Sequence, residues 1–233
     1  MARLEKDDAL GYWGMDPKLL VDGLILYLAL LILLTFHEFG HAWMAWKCGD
    51  DTARLQGRVS LNPIVHIDLV GTVVLPLLMI FLSMTGSGLS RFILGWAKPV
   101  PVNSDNLRNP RMDDMMVTLA GPWMNLLLAI VFMGLARIGY ATHYPSMVEV
   151  CKDTAHLSLL LCWFNLLPIP PLDGSQAARS LLGISHETYQ KVARYGFIIL
   201  IVVIQIPMVQ QTLTAVTNKS WAIIGDWFGM PLA

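Results

Sequence analysis

Charge is scarce in this sequence. Only 14% of its 233 residues are Asp, Glu, Lys or Arg, against 55% hydrophobic, where a soluble domain carries about 25% charged residues. That deficit, with a mean hydropathy of +0.55, excludes an ordinary soluble domain and indicates an integral membrane protein. The formal net charge is -1, and the bases fall in small groups between apolar runs, so no nucleic-acid partner is expected. Cysteine is scarce too. Cys48, Cys151 and Cys162 are odd in number and lack CxxC spacing; this excludes a thiolate zinc site and a complete disulfide framework and leaves them as apolar packing residues. The six histidines are too few for the several histidine-rich boxes of a membrane di-iron oxygenase or desaturase. No small-residue cleavage signal follows the first apolar run, which therefore reads as an anchor rather than a removable leader.

Long apolar runs, by contrast, are plentiful. About 20 such residues cross the ~30 Å hydrocarbon core, and residues 19–46, 64–83 and 115–138 meet that length. Two weaker segments are 156–182, interrupted by NLLPIPPLDG, and 195–217, interrupted by Gln205 and Pro207. Residues 220–228 carry two tryptophans and read as an interfacial piece. Between 83 and 114, Pro99, Pro101 and Pro110 exclude a regular helix, and an extended edge segment is the best local reading. The expected fold is an all-α polytopic membrane protein, a single domain over 1–233. It has about five to six transmembrane or re-entrant segments and a short extended segment near the active site.

The first segment holds an anomaly, His37-Glu-Phe-Gly-His41 inside LLILLTFHEFGHAWMAWK. On a helix, positions i and i+4 share a face, so both imidazoles can address one metal, and the intervening Glu38 lies close enough to hold a water at that metal. Zinc with three protein ligands and an open position brings such a water to a pKa near 7, and a glutamate beside it can serve as general base and proton shuttle. Peptide-bond hydrolysis needs that arrangement. A surface helix with scattered polar residues has no solvated face here, and ionisable groups inside a spanning segment mark function by default. For the third ligand the standout is Asp173 in Pro-Leu-Asp-Gly, between two apolar runs, with Gly174 letting the backbone turn; an interfacial turn is the equally weighted alternative.

Together, HEFGH, AGPWMN (120–125) and NLLPIPPLDG (165–174), in that order, resemble the site-2 protease family of intramembrane zinc metalloproteases, peptidase family M50. NPIVHID and GWAKPVPVN resemble its small bacterial branch without a PDZ domain. The resemblance covers nearly the whole chain. It implies one Zn2+ per chain held by His37, His41 and Asp173, with Glu38 as catalytic base. It also implies Asn125 as a residue polarising the scissile carbonyl or positioning substrate, and Asn165 as a support for the loop. His66 either caps the site or contacts substrate, or is an interfacial histidine bonded to Asp68 or a backbone carbonyl. His143, His156 and His186 are read as structural residues at segment ends.

The expected activity is zinc-dependent cleavage of a transmembrane or membrane-proximal peptide bond in a membrane protein. A catalytically silent membrane adaptor or metal-binding protein of the same fold is the alternative, in which Glu38 would have no evident use. The expected partners are the lipid bilayer and a membrane-protein substrate, whose unwound segment could add to an edge at 96–102. The zinc pair and Asp173 both sit toward the C-terminal ends of their segments, so those segments must run the same way. That requires 64–83 to be re-entrant or followed by a partial second crossing through 89–102. Ten of the 16 Lys and Arg then fall on the zinc side, placing the site toward the cytoplasm of a bacterial inner membrane. A simple-spanning arrangement gives the same split, so charge alone does not choose.

Overall fold

The structure, a computed structural model, describes residues 17–84 and 95–230. Among these residues there are nine α-helices and no strand. They are α1 (Pro17–Lys47), α2 (Thr52–Leu55), α3 (Leu75–Met84), α4 (Pro110–Ala141), α5 (Pro145–Asn165), α6 (Asp173–Leu182), α7 (His186–Ala193), α8 (Gly196–Ile204) and α9 (Pro207–Trp227). Prolines open α4, α5 and α9, where the first helical N–H has no intrahelical acceptor and the ring's fixed φ already suits a helix. Two helices, over 18–47 and 110–141, are long and apolar enough to cross a membrane, and the bent pair α8 and α9 supplies a third span if counted as one. The chain is an integral membrane protein.

α4 is the central element, packed against α1, α5 and α6, with α9 covering α5. Small residues make the α4–α5–α9 seam close: Ala129, Ala136, Cys151 and Ala155 are buried together with the larger Met133, Leu159 and Ile224, since small side chains let membrane helices approach. The three cysteines are buried and free, as packing residues should be. His41 near the end of α1 meets Val117 near the start of α4, and His37 meets Asn125, so these helices are antiparallel. Ser158 of α5 donates to the Asn125 carbonyl, while Gly139 lies against Met147 and Val148; α5 is antiparallel to α4 and runs with α1.

Among the described residues one long helix, α4, therefore lies between α1 and α5, and residues 64–84 account for the difference. They form a 3-10 turn (Pro63–His66), a π-helical stretch (Leu69–Val74) and α3. The apolar helix over 69–82 is about 21 Å long at 1.5 Å per residue, short of the hydrocarbon core. Beyond residue 94 the chain lies beside its own point of departure: Trp96 N–H donates to Gly71 O (3.2 Å) and Lys98 N–H to His66 O (2.9 Å). The expected extended segment is irregular backbone over 95–103 rather than a strand, because these two bonds alone do not make a ladder and Pro99 and Pro101 have no N–H to extend one. Residues 85–94, which include part of the partial crossing considered above, lie outside the described residues.

Several boundaries differ from the sequence expectation. α5 begins at Pro145, eleven residues before the 156 read from hydropathy, because Glu149, Lys152 and Asp153 mask an otherwise helical turn pattern. His156 is consequently mid-helix and bonds Asn218 of α9 (3.1 Å) rather than ending a segment. The 156–182 unit is two helices, α5 and α6, separated by the proline-rich loop. Residues 195–217 are likewise split, with α8 and α9 meeting at 81° where Pro207 disfavours helical backbone at Ile206. The tryptophan-bearing 220–228 piece is continuous with α9 through Trp227.

Candidate metal centre

α1 supplies His37 and His41 one turn apart on its buried face, 5% and 9% exposed. α6 supplies Asp173 as its first residue, delivered by the 166–172 loop. Gly174 is required by crowding rather than by an unusual turn: a Cβ there would lie 2.2 Å from the Leu166 carbonyl oxygen. The three side chains meet. His37 Nε2 and His41 Nε2 are 3.1 Å apart, and Asp173 Oδ2 is 3.1 Å from the first and 3.4 Å from the second. Ligands at ~2.0–2.2 Å around a tetrahedral zinc stand about 3.3–3.5 Å from one another, so the spacing fits one such ion.

The surrounding chemistry fits it as well. His41 Nδ1 lies 2.8 Å from the Val117 carbonyl oxygen, and a carbonyl only accepts, so Nδ1 carries the proton and Nε2 presents its lone pair to the cluster. The other nitrogen of His37, Nδ1, is 3.1 Å from the Asn125 amide. Asn125 is 1% exposed and its Oδ1 has no hydrogen-bond partner when the nitrogen is turned to His37. With the amide turned about, His37 Nδ1–H donates to Oδ1. Two imidazole lone pairs and a buried Asp173 oxygen then face one point with no proton between them, an arrangement that a cation completes.

α4 leaves room for that ion. A Cβ at Gly121 would fall 2.3 Å from His41 Nε2 and 2.6 Å from His37 Nε2, so the glycine of the AGPWMN stretch holds the space open. Glu38 is half-buried on the same helix as the histidines, near enough to act electrostatically on His41, Arg58 and His66. Its carboxylate is not part of the three-ligand group.

The remaining candidates lie outside the three-ligand group. Asn125 is turned to His37 within the helix packing. Asn165, the last residue of α5, donates to Leu161 O of its own helix (2.9 Å), while the adjoining loop is held by its own backbone bonds, Ile169 N–H to Leu167 O and Leu172 N–H to Ile169 O. His66 is buried, with Nε2 on Ser60 O (2.8 Å) and its carbonyl accepting from Lys98 N–H; it joins the 58–66 loop to the returning chain. Sequence reasoning missed Val117, whose contribution is a backbone carbonyl and leaves no side-chain signature, and the spatial role of Gly121, though the motif containing it was visible.

Comparison with known proteins agrees with this geometry. The profile described as Peptidase family M50 matches residues 25–149 and 140–204. YwhC of Bacillus subtilis (strain 168), whose name describes a zinc metalloprotease, is 35% identical over 202 residues, 83% of this chain and 85% of that one. Rip2 of Mycolicibacterium smegmatis, named in the same terms, is 32% identical over 180 residues, 76% of this chain and 65% of that one. For Rip2 of Mycobacterium tuberculosis (H37Rv) the figures are 33% over 147 residues, 63% and 53%. No solved structure matches the chain.

Proposed function

Because this chain belongs to peptidase family M50, the site-2 protease family of zinc metalloendopeptidases, we propose that it cleaves a peptide bond within or beside a transmembrane segment of another membrane protein. The observation that carries the reading is the convergence of Asp173 at 3.1–3.4 Å on His37 and His41, two residues of a helix of spanning length. In this proposal those three residues hold one zinc. The ion, when bound, supplies a Lewis acid that polarises the carbonyl under attack and acidifies the attacking water. Glu38 takes the proton from that water and returns it to the leaving amine. Asn125 acts through His37, fixing its ring and tautomer, rather than on the substrate carbonyl. Asn165 and His66 keep supporting places, the one at the end of α5 and the other under the returning segment.

The same proposal makes residues 64–84 re-entrant, counts α1, α4, α5, α8 and α9 as the remaining membrane segments, and opens the site toward the cytoplasmic side of a bacterial inner membrane. A substrate helix must unwind before cleavage, because its carbonyls are engaged in the helical ladder. Segment 96–102 offers it an edge of limited capacity. Trp96 and Lys98 have spent their N–H groups on Gly71 and His66, and the prolines have none. An unrelated linker replacing 96–102 without loss of cleavage would dispose of this part.

The test of the whole is metal analysis beside Glu38→Gln. One zinc per chain should persist in the variant while cleavage falls by about 10²–10⁴-fold, and membrane proteins retained on it should be those shortened by the wild type. Iron in place of zinc, or cleavage that survives the substitution, defeats the reading.

A further inference from the structure

We infer that Asp114 is a positioning residue for the zinc centre: it clamps the far end of α6 to α4, so that Asp173 at the near end is presented at the depth of the two histidines. The inference rests on the ligand assignment proposed above and deepens it. α6 is ten residues long, about 15 Å, with Asp173 first. Its other end is tied by side-chain bonds to the start of α4. Asp114 is 8% exposed and accepts from Arg179 Nη2 at 2.5 Å and from the Ser180 hydroxyl. Arg111 donates from Nε to Ser180 O (2.9 Å) and from Nη2 to Leu181 O (2.6 Å), using carbonyls that a helix leaves without intrahelical partners at its C-terminus.

The position of Asp114 on α4 turns this clamp into a register. Asp114, Val117, Gly121 and Asn125 follow one another at steps of three, four and four residues, a single face of one helix. Along that face α4 holds α6, then Nδ1 of His41, then the space between the imidazoles, then Nδ1 of His37. One rigid element thus sets the relative height of ligands drawn from two others. Groups that orient a metal ligand from outside its coordination sphere typically matter 10–100-fold for affinity.

The test uses the full chain in lipid nanodiscs, with zinc affinity read by chelator competition and the thermal midpoint read on the metal-free protein. Removing one charge of a buried pair strands the other, whereas removing both is often neutral for folding, so the main variant is Asp114→Leu with Arg179→Leu. It should bind zinc about 10–100-fold more weakly with a metal-free midpoint close to wild type. Ser180→Ala, which takes away one donor to Asp114 and leaves the charges paired, is the milder variant and should show a several-fold loss. Leu159→Ala, in the α4–α5 core, should lower the midpoint without changing zinc affinity. Wild-type zinc affinity in both clamp variants overturns the inference, as does a zinc loss that Leu159→Ala shares in proportion to its midpoint. Asp173→Asn separates the two levels: wild-type affinity in that variant defeats the ligand assignment itself.

Discussion

The carbonyl oxygen of Val117 stands 2.8 Å from Nδ1 of His41. The backbone of a neighbouring helix, rather than any side chain, therefore chooses which nitrogen of that histidine carries its proton. A tautomer fixed in this way turns the Nε2 lone pair to His37 and Asp173 without further rearrangement, and the partner of His37, Asn125, stands eight residues further along the same helix. The depth at which α4 packs on α1 is thus part of the chemistry of the site.

Gly121→Ala tests how little space α4 leaves. The added methyl would lie 2.3 and 2.6 Å from the two Nε2 atoms, closer than any relaxed contact, and its nearest neighbours are imidazoles fixed at their other nitrogens. The expected outcome is a protein with wild-type helix content by circular dichroism, zinc content near zero and no cleavage. Full zinc occupancy in this variant would show that the imidazoles stand further from α4 than the geometry has them.

How much of this was legible beforehand follows from where each signal resides. The histidine pair and Glu38 could be read from a single helix, because helical periodicity alone puts residues 37 and 41 on one face. Asp173 could be picked out by its place between apolar runs. The Val117 carbonyl could not, since every residue has one and only the packing of α4 on α1 selects it. Asp114 was only the last residue of the polar stretch between 83 and 114 until its partners, 65 and 66 residues away in sequence, were brought to it. α5 was truncated in the reading because hydropathy sees Glu149, Lys152 and Asp153 as polar, whereas Lys152 lies over the Trp221 ring and the helix is held by contacts with α4 and α9.

Asp50, just beyond α1, carries a pH dependence. Burial alone would raise its pKa, but hydrogen bonds from the Thr52 hydroxyl, the Asn106 amide and the backbone N–H groups of Asn103 and Thr52 outweigh it and hold the carboxyl below the usual range. A lowered folded-state value means that the stability contributed is present above the unfolded pKa of about 3.9 and is lost as pH falls through the lower, folded one. Asp50→Asn should cost about 1–3 kcal/mol near neutral pH, and the difference from wild type should hold down to about pH 5 and close below about pH 4. Thermal unfolding of both proteins across that range checks it; a difference independent of pH would remove the carboxylate from the explanation.

The short helix over 69–82 makes a topological prediction. At about 21 Å it is shorter than the ~30 Å hydrocarbon core, and the chain is back beside Gly71 and His66 by residues 96 and 98. A single cysteine at Leu82 should be closed to an impermeant thiol reagent applied from the membrane face opposite Lys47, in a background where the three buried native cysteines are replaced. Ready labelling from that face would establish a full crossing and overturn the re-entrant arrangement.

Arg58 explains what keeps the returning segment in place. It is 4% exposed, and among the described residues no carboxylate lies within ion-pair distance of it. Its guanidinium instead donates to three backbone carbonyls, Val65 (2.5 Å) on one side and Lys98 and Pro99 (3.1 Å) on the other. A planar fork can bridge two chain segments in this way; a lysine ammonium is a point charge on a flexible stem and cannot hold both at once. Losing one such charged hydrogen bond costs about 1.5–3 kcal/mol, so Arg58→Lys should accelerate amide exchange of Trp96 and Lys98, the two N–H groups bonded to Gly71 and His66, by about 10–100-fold. Amides in the α4–α5 core, which share no contact with Arg58, should exchange as in the wild type. If the segment borders the substrate path, cleavage should weaken in the same variant while zinc content is unchanged, because the bonds of Arg58 go to the backbone at Val65, Lys98 and Pro99. Unchanged exchange at Trp96 and Lys98 would mean that the two backbone bonds and the Thr72 hydroxyl on Trp96 O suffice without the guanidinium.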